Sequence, residues 1–279
     1  MSVKATAVPG FSWYLLPNQT GIYHLNKFET DYLYQEIFAE ESYLQNGIEL
    51  NDNDCVLDIG ANIGMFSLFA CSKRRNLKIL AFEPLPPIYA VLKMNTARYK
   101  GNISVFNYGL LDVEGKAVFK YFPSFSILSG LSSADENREK EVLRQIIEDK
   151  LPAALGGSAL ALKFRDYFIR TKLQEIEYEC GITTLSRVIR DHKISRIDLL
   201  KVDIEGNERR FFRGIMEQDW AKIKQLVMEF HDPPEKDFRL VLELLNAYGF
   251  EVKAEKQGVF RKTNTYNIYA KKGGGKHLV

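Results

Sequence analysis

Asp58-Ile59-Gly60-Ala61-Asn62-Ile63-Gly64 is the stretch from which the rest of this chain is read. The apolar Cys55-Val56-Leu57 runs into it, and Met65-Phe66-Ser67-Leu68-Phe69-Ala70 leaves it with the apolar density of a packed helix. That is the form of a buried strand, a glycine turn and a helix. Gly60 and Gly64 allow the backbone to turn tightly and let a ligand lie against bare main chain. The helix that follows points its unbonded N–H groups at the same place. A nucleotide-type cofactor is therefore expected at the carboxyl end of the first central strand.

The turn differs from that of a dinucleotide site, which favours Gly-x-Gly-x-x-Gly. Here the pattern is Gly60-x-Asn62-x-Gly64, with Asp58 just before it. A pyrophosphate beside Asp58 would be repelled, whereas a cationic sulfonium amino acid would be attracted. The second strand, Lys78-Ile79-Leu80-Ala81-Phe82, ends in Glu83-Pro84. Glu83 lies roughly 20 residues past the turn, where an acidic side chain can take both ribose hydroxyls. Acid, turn and acid at this spacing read as a site for S-adenosylmethionine (SAM), with Asp58, Gly60, Asn62, Gly64 and Glu83 as candidate cofactor-binding residues. The competing reading is an ordinary βα turn with a surface glutamate.

The chain has 279 residues, 46% of them hydrophobic, enough to bury a large α/β core. Lys and Arg number 38 against 36 Asp and Glu, a net of +2, which gives no reason to expect nucleic acid or a membrane as the main partner. Cys55, Cys71 and Cys180 show no paired or metal-type spacing and suit a reducing compartment. Residues 1–17 lack a basic start followed by a long apolar stretch, and no apolar run reaches the length of a membrane span. A soluble cytoplasmic protein is expected.

Residues 1–26 read as irregular, broken by Pro9, Gly10, Pro17 and Gly21. Glu29-Thr30-Asp31 can start a helix carrying Leu33, Ile37 and Phe38, so that 1–50 forms a lead-in. Strands 55–59, 78–83 and 103–108 then alternate with helices near 64–73 and 86–99, and a short strand follows at 117–121; residues 51–121 make the cofactor-binding half of the core. The rhythm breaks over 122–175, where helices are expected at 135–150 and 160–173, and Phe122, Phe125, Leu128 and Leu131 would suit a lid. It resumes over 176–272 with a capped helix at 184–191, strand 197–203, a helix from Asn207, strand 225–230, helix 235–247 and closing strands 250–255 and 265–270. Residues 273–279 read as a flexible glycine-rich tail. This alternation predicts an α/β fold built on a doubly wound, mostly parallel sheet, with a helical lead-in and a helical lid insertion.

Ligands in such sheets lie beyond the carboxyl ends of the strands. Asp203 stands at the tip of the apolar run Leu199-Leu200-Lys201-Val202. Glu229 and His231 are two apart at the tip of the next strand and so share one face. An acid and an imidazole beside Asp203 could hold a divalent cation such as Mg²⁺ or act as a base with its orienting carboxylate, making Asp203, Glu229 and His231 both the catalytic and the metal candidates. Glu205 opens the next helix, where it could equally be a charge that suits the helix dipole. Lys201 reads as a buried ion-pair partner rather than a catalytic amine. Gly109-Leu110, after the third strand, should border the adenine.

Val56-Leu57-Asp58-Ile59-Gly60-Ala61-Asn62-Ile63-Gly64, Phe82-Glu83-Pro84 and Leu199-Leu200-Lys201-Val202-Asp203-Ile204-Glu205-Gly206 together resemble the FkbM-type SAM-dependent methyltransferases, over nearly the whole chain. The front segment His24-Leu25-Asn26-Lys27-Phe28-Glu29-Thr30-Asp31-Tyr32-Leu33-Tyr34 is similar to the one found in FkbM-type domains embedded in modular polyketide and nonribosomal peptide synthases. The resemblance implies a Rossmann-like class I methyltransferase fold and O-methylation of a hydroxyl on a natural-product intermediate, often an acyl or peptidyl chain tethered to a carrier protein. It also brings Glu29 and Thr30 in as cofactor-binding residues. Ile204-Glu205-Gly206-Asn207-Glu208 follows the general family pattern rather than the embedded form, so a free small-molecule methyltransferase and a non-catalytic SAM-binding or docking module stay open as alternatives. The resemblance leaves open whether Asp203, Glu229 and His231 hold a metal.

Overall fold

Apolar side chains at nearly every position of a strand require cover on both faces, and the central strands here meet that requirement. The computed structural model describes residues 10–99, 102–123, 126, 129–131, 175–231, 234–256 and 265–273. Numbering runs over these residues. A hairpin, β1 (Ser12–Leu15) and β2 (Gly21–His24), leads into α1 (Lys27–Tyr34), which continues as a π-helical turn at Gln35–Ala39. Two βα units follow: β3 (Cys55–Ile59), α2 (Met65–Lys73), β4 (Lys78–Phe82), α3 (Pro86–Thr96), then β5 (Ile103–Phe106). Next come the strands β6 (Gly109–Leu110), β7 (Gly115–Tyr121), β8 (Gly130–Leu131) and β9 (Ile176–Thr183). The chain ends with α4 (Leu185–Asp191), β10 (Leu199–Val202), α5 (Glu208–Arg213), α6 (Glu217–Trp220), β11 (Gln225–Phe230), α7 (Glu235–Ala247), β12 (Phe250–Lys256) and β13 (Tyr266–Lys272).

The seven-stranded central sheet has the order β12-β13-β11-β10-β3-β4-β5. All its neighbours are parallel except β13, which runs antiparallel between β11 and β12. Chain order reverses between β3 and β10, so a crevice opens at their carboxyl ends. One apolar layer, with Phe66 and Phe69 of α2 and Val91 of α3, covers the face bearing Val56, Ile79 and Leu199. The other, with Val188 of α4, Phe211 of α5 and Leu245 of α7, covers the face bearing Leu57, Leu200 and Met228. This is the doubly wound, Rossmann-like α/β arrangement expected of the class I methyltransferases. Among the described residues no helix is long and apolar enough to cross a membrane.

Two expectations are corrected. The stretch expected to be irregular contains the β1–β2 hairpin, paired from Ser12–His24 to Leu15–Gly21. Gly21 is less a breaker than a seat for the Trp13 ring, since a Cβ there would lie 2.1 Å from Trp13 Cζ2. The second half of the core does not start at a helix, because β9 joins β6, β7 and β8 in a separate four-stranded sheet. The third strand ends at Phe106, and Gly109-Leu110 belongs to that smaller sheet. The expected helices at 135–150 and 160–173, with Phe125 and Leu128, lie outside the described residues.

The amino ends of the central strands are tied by Asp198, which is 3% exposed. Its Oδ2 accepts the Cys55 N–H at 2.8 Å and Arg196 Nε at 2.9 Å, and its Oδ1 accepts Lys224 Nζ at 2.8 Å. Asp198→Ala leaves the Cys55 N–H buried without its acceptor and should lower unfolding free energy by about 1.5–3 kcal/mol in urea titration.

Candidate functional site

The glycine turn is shaped by contacts on both sides. The N–H groups of Gly60 and Ala61 both donate to the Phe82 carbonyl, at 3.1 and 2.9 Å, which hooks the turn over the end of β4. Gly60 has a φ of +74°, and a Cβ on it would sit 1.7 Å from the Asp203 carbonyl oxygen. Only glycine allows the tips of β3 and β10 to touch there. Gly64, at φ +94°, starts α2.

Glu83 is 5% exposed and lines the cavity beside this turn. Its Oε2 accepts the Asn62 N–H at 3.2 Å and its Oε1 the Leu85 N–H at 2.9 Å. Burial pushes its carboxyl up to about 7, against those two N–H groups, which pull it down.

Gly60, Asn62, Glu83, Gly109 and Leu110 therefore line one cavity. The other cofactor candidates stand behind it. Asp58 is wholly buried, accepts Ser67 Oγ at 2.7 Å on Oδ2, and has Lys201 Nζ 3.5 Å from Oδ1. It sits inside the sheet, under the turn, and does not line the cavity. Gly64 packs against Leu92. Thr30 donates its hydroxyl to the Asn26 carbonyl at 2.8 Å within α1. Glu29 accepts Ser126 Oγ at 2.9 Å, and it is Ser126 that reaches the cavity wall.

Asp203, Glu229 and His231 come together on the same cavity: the two-residue spacing of Glu229 and His231 sets that pair on one face, and Asp203 stands at the neighbouring strand tip. His231 Nε2 lies 3.8 Å from Asp203 Oδ1, 3.5 Å from Glu229 Oε2 and 3.7 Å from Glu205 Oε2. The carboxylate that orients the ring is a different one. Glu208, wholly buried at the start of α5, has Oε1 2.7 Å from His231 Nδ1. The same oxygen accepts the Gly206 N–H at 3.0 Å, so it is an acceptor and Nδ1 carries the proton. Nε2 then faces the cavity, beside Glu229. Expecting Asp203 or Glu229 in the orienting role overlooked Glu208; the acids three apart in Glu205-Gly206-Asn207-Glu208 were the available signal. Glu205 does not cap a helix. Its φ of +50°, followed by +86° at Gly206, turns the chain back so that its carboxylate approaches His231.

The front segment supplies further residues that the sequence reading missed. Tyr43 donates its hydroxyl to Glu229 Oε1, with Asp203 Oδ2 3.4 Å away. Glu36, from the π-helical turn, lines the cavity, and burial together with the charges of Glu229 and Asp203 holds its carboxyl well above the usual range. Burial and Glu229 likewise push Asp203 up to about 7. Glu229 is held down despite burial, chiefly by His231 and the Tyr43 hydroxyl.

Lys201 is 3% exposed and donates Nζ to the Gly60 carbonyl at 2.9 Å, with Asp203 Oδ2 at 3.4 Å. Burial would lower its pKa, but Asp203, Asp58 and Glu229 outweigh it, so Lys201 is a fixed cation, not a base.

Residues 58–252 match the model of the FkbM methyltransferase domain. The chain belongs to that family. It is 36% identical over 264 residues to the AMB antimetabolite synthetase AmbE of Pseudomonas aeruginosa, a match covering 93% of this chain but 12% of that much longer protein. It is 34% identical over 260 residues to the 31-O-demethyl-FK506 methyltransferase FkbM of Streptomyces tacrolimicus, covering 93% of this chain and 96% of the relative. Among solved structures, a human methyltransferase 10 domain containing protein aligns with a TM-score of 0.44 and 11% identity over 86% of this chain and 81% of that one.

The FkbM family implies SAM, and the cavity's donor set fits it. Glu83 offers carboxylate lone pairs to ribose hydroxyls, the turn at Gly60 to Asn62 offers bare main chain, and Pro84 and Leu110 offer apolar surface to a purine. Glu83→Gln should raise the dissociation constant for SAM about 10–100-fold by calorimetry, the loss expected for hydrogen bonds to a charged acceptor. In the wild type, affinity should weaken as pH falls through about 7, because protonation removes the charged acceptor.

Proposed function

We propose that this FkbM domain is a SAM-dependent O-methyltransferase acting on a hydroxyl of a natural-product intermediate, carried as an acyl or peptidyl chain on a carrier protein. The observation that carries the reading is His231: Nδ1 is held by Glu208, and Nε2 stands at the wall of the cavity that Glu83 also lines. The similarity to a 31-O-demethyl-FK506 methyltransferase supports oxygen as the acceptor, and the similarity to a synthetase of which the match spans only part supports a tethered substrate. The cytoplasm, which the free thiols of Cys55, Cys71 and Cys180 suit, is the expected compartment.

Bound SAM supplies an electrophilic methyl on a sulfonium. The chain's own residues do the rest. The glycine turn and Glu83 would hold the donor, and alignment of the reacting groups would supply much of the rate. An aliphatic hydroxyl is a poor nucleophile near neutral pH. His231 Nε2 would receive its proton as the oxygen takes the methyl and the donor is released as the neutral thioether. Glu208 keeps the ring in the required tautomer and stabilises the imidazolium that results.

A second reading has its own observation. One ligand atom each from Asp203, Glu205 and His231 lie within 4.8 Å of one another, with Glu229 adjacent. A carboxylate on the far ring nitrogen, as Glu208 provides, is the usual partner of a metal-ligating histidine. Under this reading Mg²⁺ or another divalent cation would be held by that group.

Intact-protein mass spectrometry of a carrier protein loaded with hydroxyacyl groups should show the gain of one methyl when the chain and SAM are present. SAM binding with no methyl transferred to any hydroxyacyl carrier would instead indicate a docking module. His231→Ala should lower kcat by about 10²–10⁴-fold, the usual worth of a general base. Activity that survives a chelator supports the base reading, whereas activity lost and then restored by Mg²⁺ supports the cation.

A further inference from the structure

The cavity gathers more carboxyl groups than methyl transfer to a neutral alcohol requires. Its titratable lining is Glu36, Glu83, Asp203, Glu205 and Glu229 against Lys201 and His231. Glu83 stands at the tip of β4, where it faces the donor. Lys201 is committed to the Gly60 carbonyl and shared between Asp58 and Asp203. The remaining acids gather at the tips of β10 and β11 and on the front segment, the side on which an acceptor must meet His231. Crowded there, Glu36 and Asp203 are both pushed toward the neutral form.

Glu36 is the member of this group that the base reading does not use. It lies on the π-helical turn Gln35–Ala39, and such turns are frequent at functional sites. Tyr32, four residues earlier, and Tyr43 line the same cavity. Lys201 Nζ already lies 5.4 Å from the centroid of the Tyr43 ring, and a buried carboxylate among tyrosines suits a second cation, an ammonium group that would pair with it.

Resting on the methyltransferase reading, we propose that the acceptor presents a protonated amine beside its hydroxyl, and that Glu36, flanked by Tyr32 and Tyr43, selects for it. The amine is bound and not transformed, and the hydroxyl remains the site of methylation. The acceptor class is then a hydroxylated aminoacyl chain with a free amine, as opposed to a hydroxyacyl chain without one.

Calorimetry on the full chain, with a chelator present, tests this without turnover. S-adenosylhomocysteine is titrated first; it carries the donor's own amine, so any later preference belongs to the acceptor. The pantetheine amides of threonine, N-acetylthreonine and 3-hydroxybutyrate are then compared. The threonine amide should bind about 10–100-fold more tightly than the other two, the range of a hydrogen bond to a charged group, and the ratio should fall toward one in Glu36→Gln. Equal affinity for the three probes overturns the proposal, as does an undiminished ratio in the variant. The wild-type comparison decides the matter alone if the variant does not fold. Absence of S-adenosylhomocysteine binding in the first titration would instead sink the methyltransferase reading, and this inference with it.

Discussion

The ammonium of Lys201 is the contact on which the site depends. It is buried at the centre of the sheet, donates to the Gly60 carbonyl at 2.9 Å, and lies 3.5 Å from Asp58 and 3.4 Å from Asp203. Parallel pairing of β3 with β10 sets Lys201 directly beside Asp58, so the arrangement is built into the register. One cation thus joins the glycine turn after β3 to the tip of β10. A buried charge with these partners is costly to misplace, because any shift of β10 against β3 would strand it away from its carboxylates. The close approach of Gly60 to the Asp203 carbonyl enforces the same alignment sterically.

From that joint the division of labour follows the order of the strands. Under the proposed function, β3 and β4 would present main chain and Glu83 to the donor. β10 and β11 would present Asp203, Glu229 and His231 to the acceptor, on the sheet face to which the front segment brings Tyr43 and Glu36. The loop after β10 closes the set from the side: two successive left-handed residues, Glu205 and Gly206, bring Glu205 toward Nε2 and seat Glu208 on Nδ1. The lead-in is therefore part of the site as well as part of the packing.

Much of this was legible in the sequence, for identifiable reasons. Apolar runs with glycine and proline punctuation mark β3, β4, β10 and β11 because those strands are buried on both faces, and the spacing from Gly60 to Glu83 reflects a βα unit of ordinary length. Period-two parity placed Glu229 and His231 together. What depended on long-range contact was not legible. Asp58 looks like a ligand residue, but the sheet turns it inward to Ser67 and Lys201. Glu208 gave little sign that a left-handed turn would carry it to His231. Tyr43 and Glu36 are 160 or more residues from the strand tips they meet, with Tyr43 and Glu229 separated by 186 positions. Strand β9 could have been found from the alternation Ile176, Tyr178, Cys180, Ile182, but it pairs with β6 and β7 in the smaller sheet instead of extending the central sheet.

The account stands on a cavity whose carboxylates match a positively charged methyl donor and not a pyrophosphate. Parallel calorimetric titrations of the wild-type chain with SAM and with NAD test that most directly. Saturable one-to-one binding of SAM, with no heat from NAD, is the result the charge arrangement predicts. Uptake of NAD by a protein that ignores SAM at millimolar concentration would contradict it.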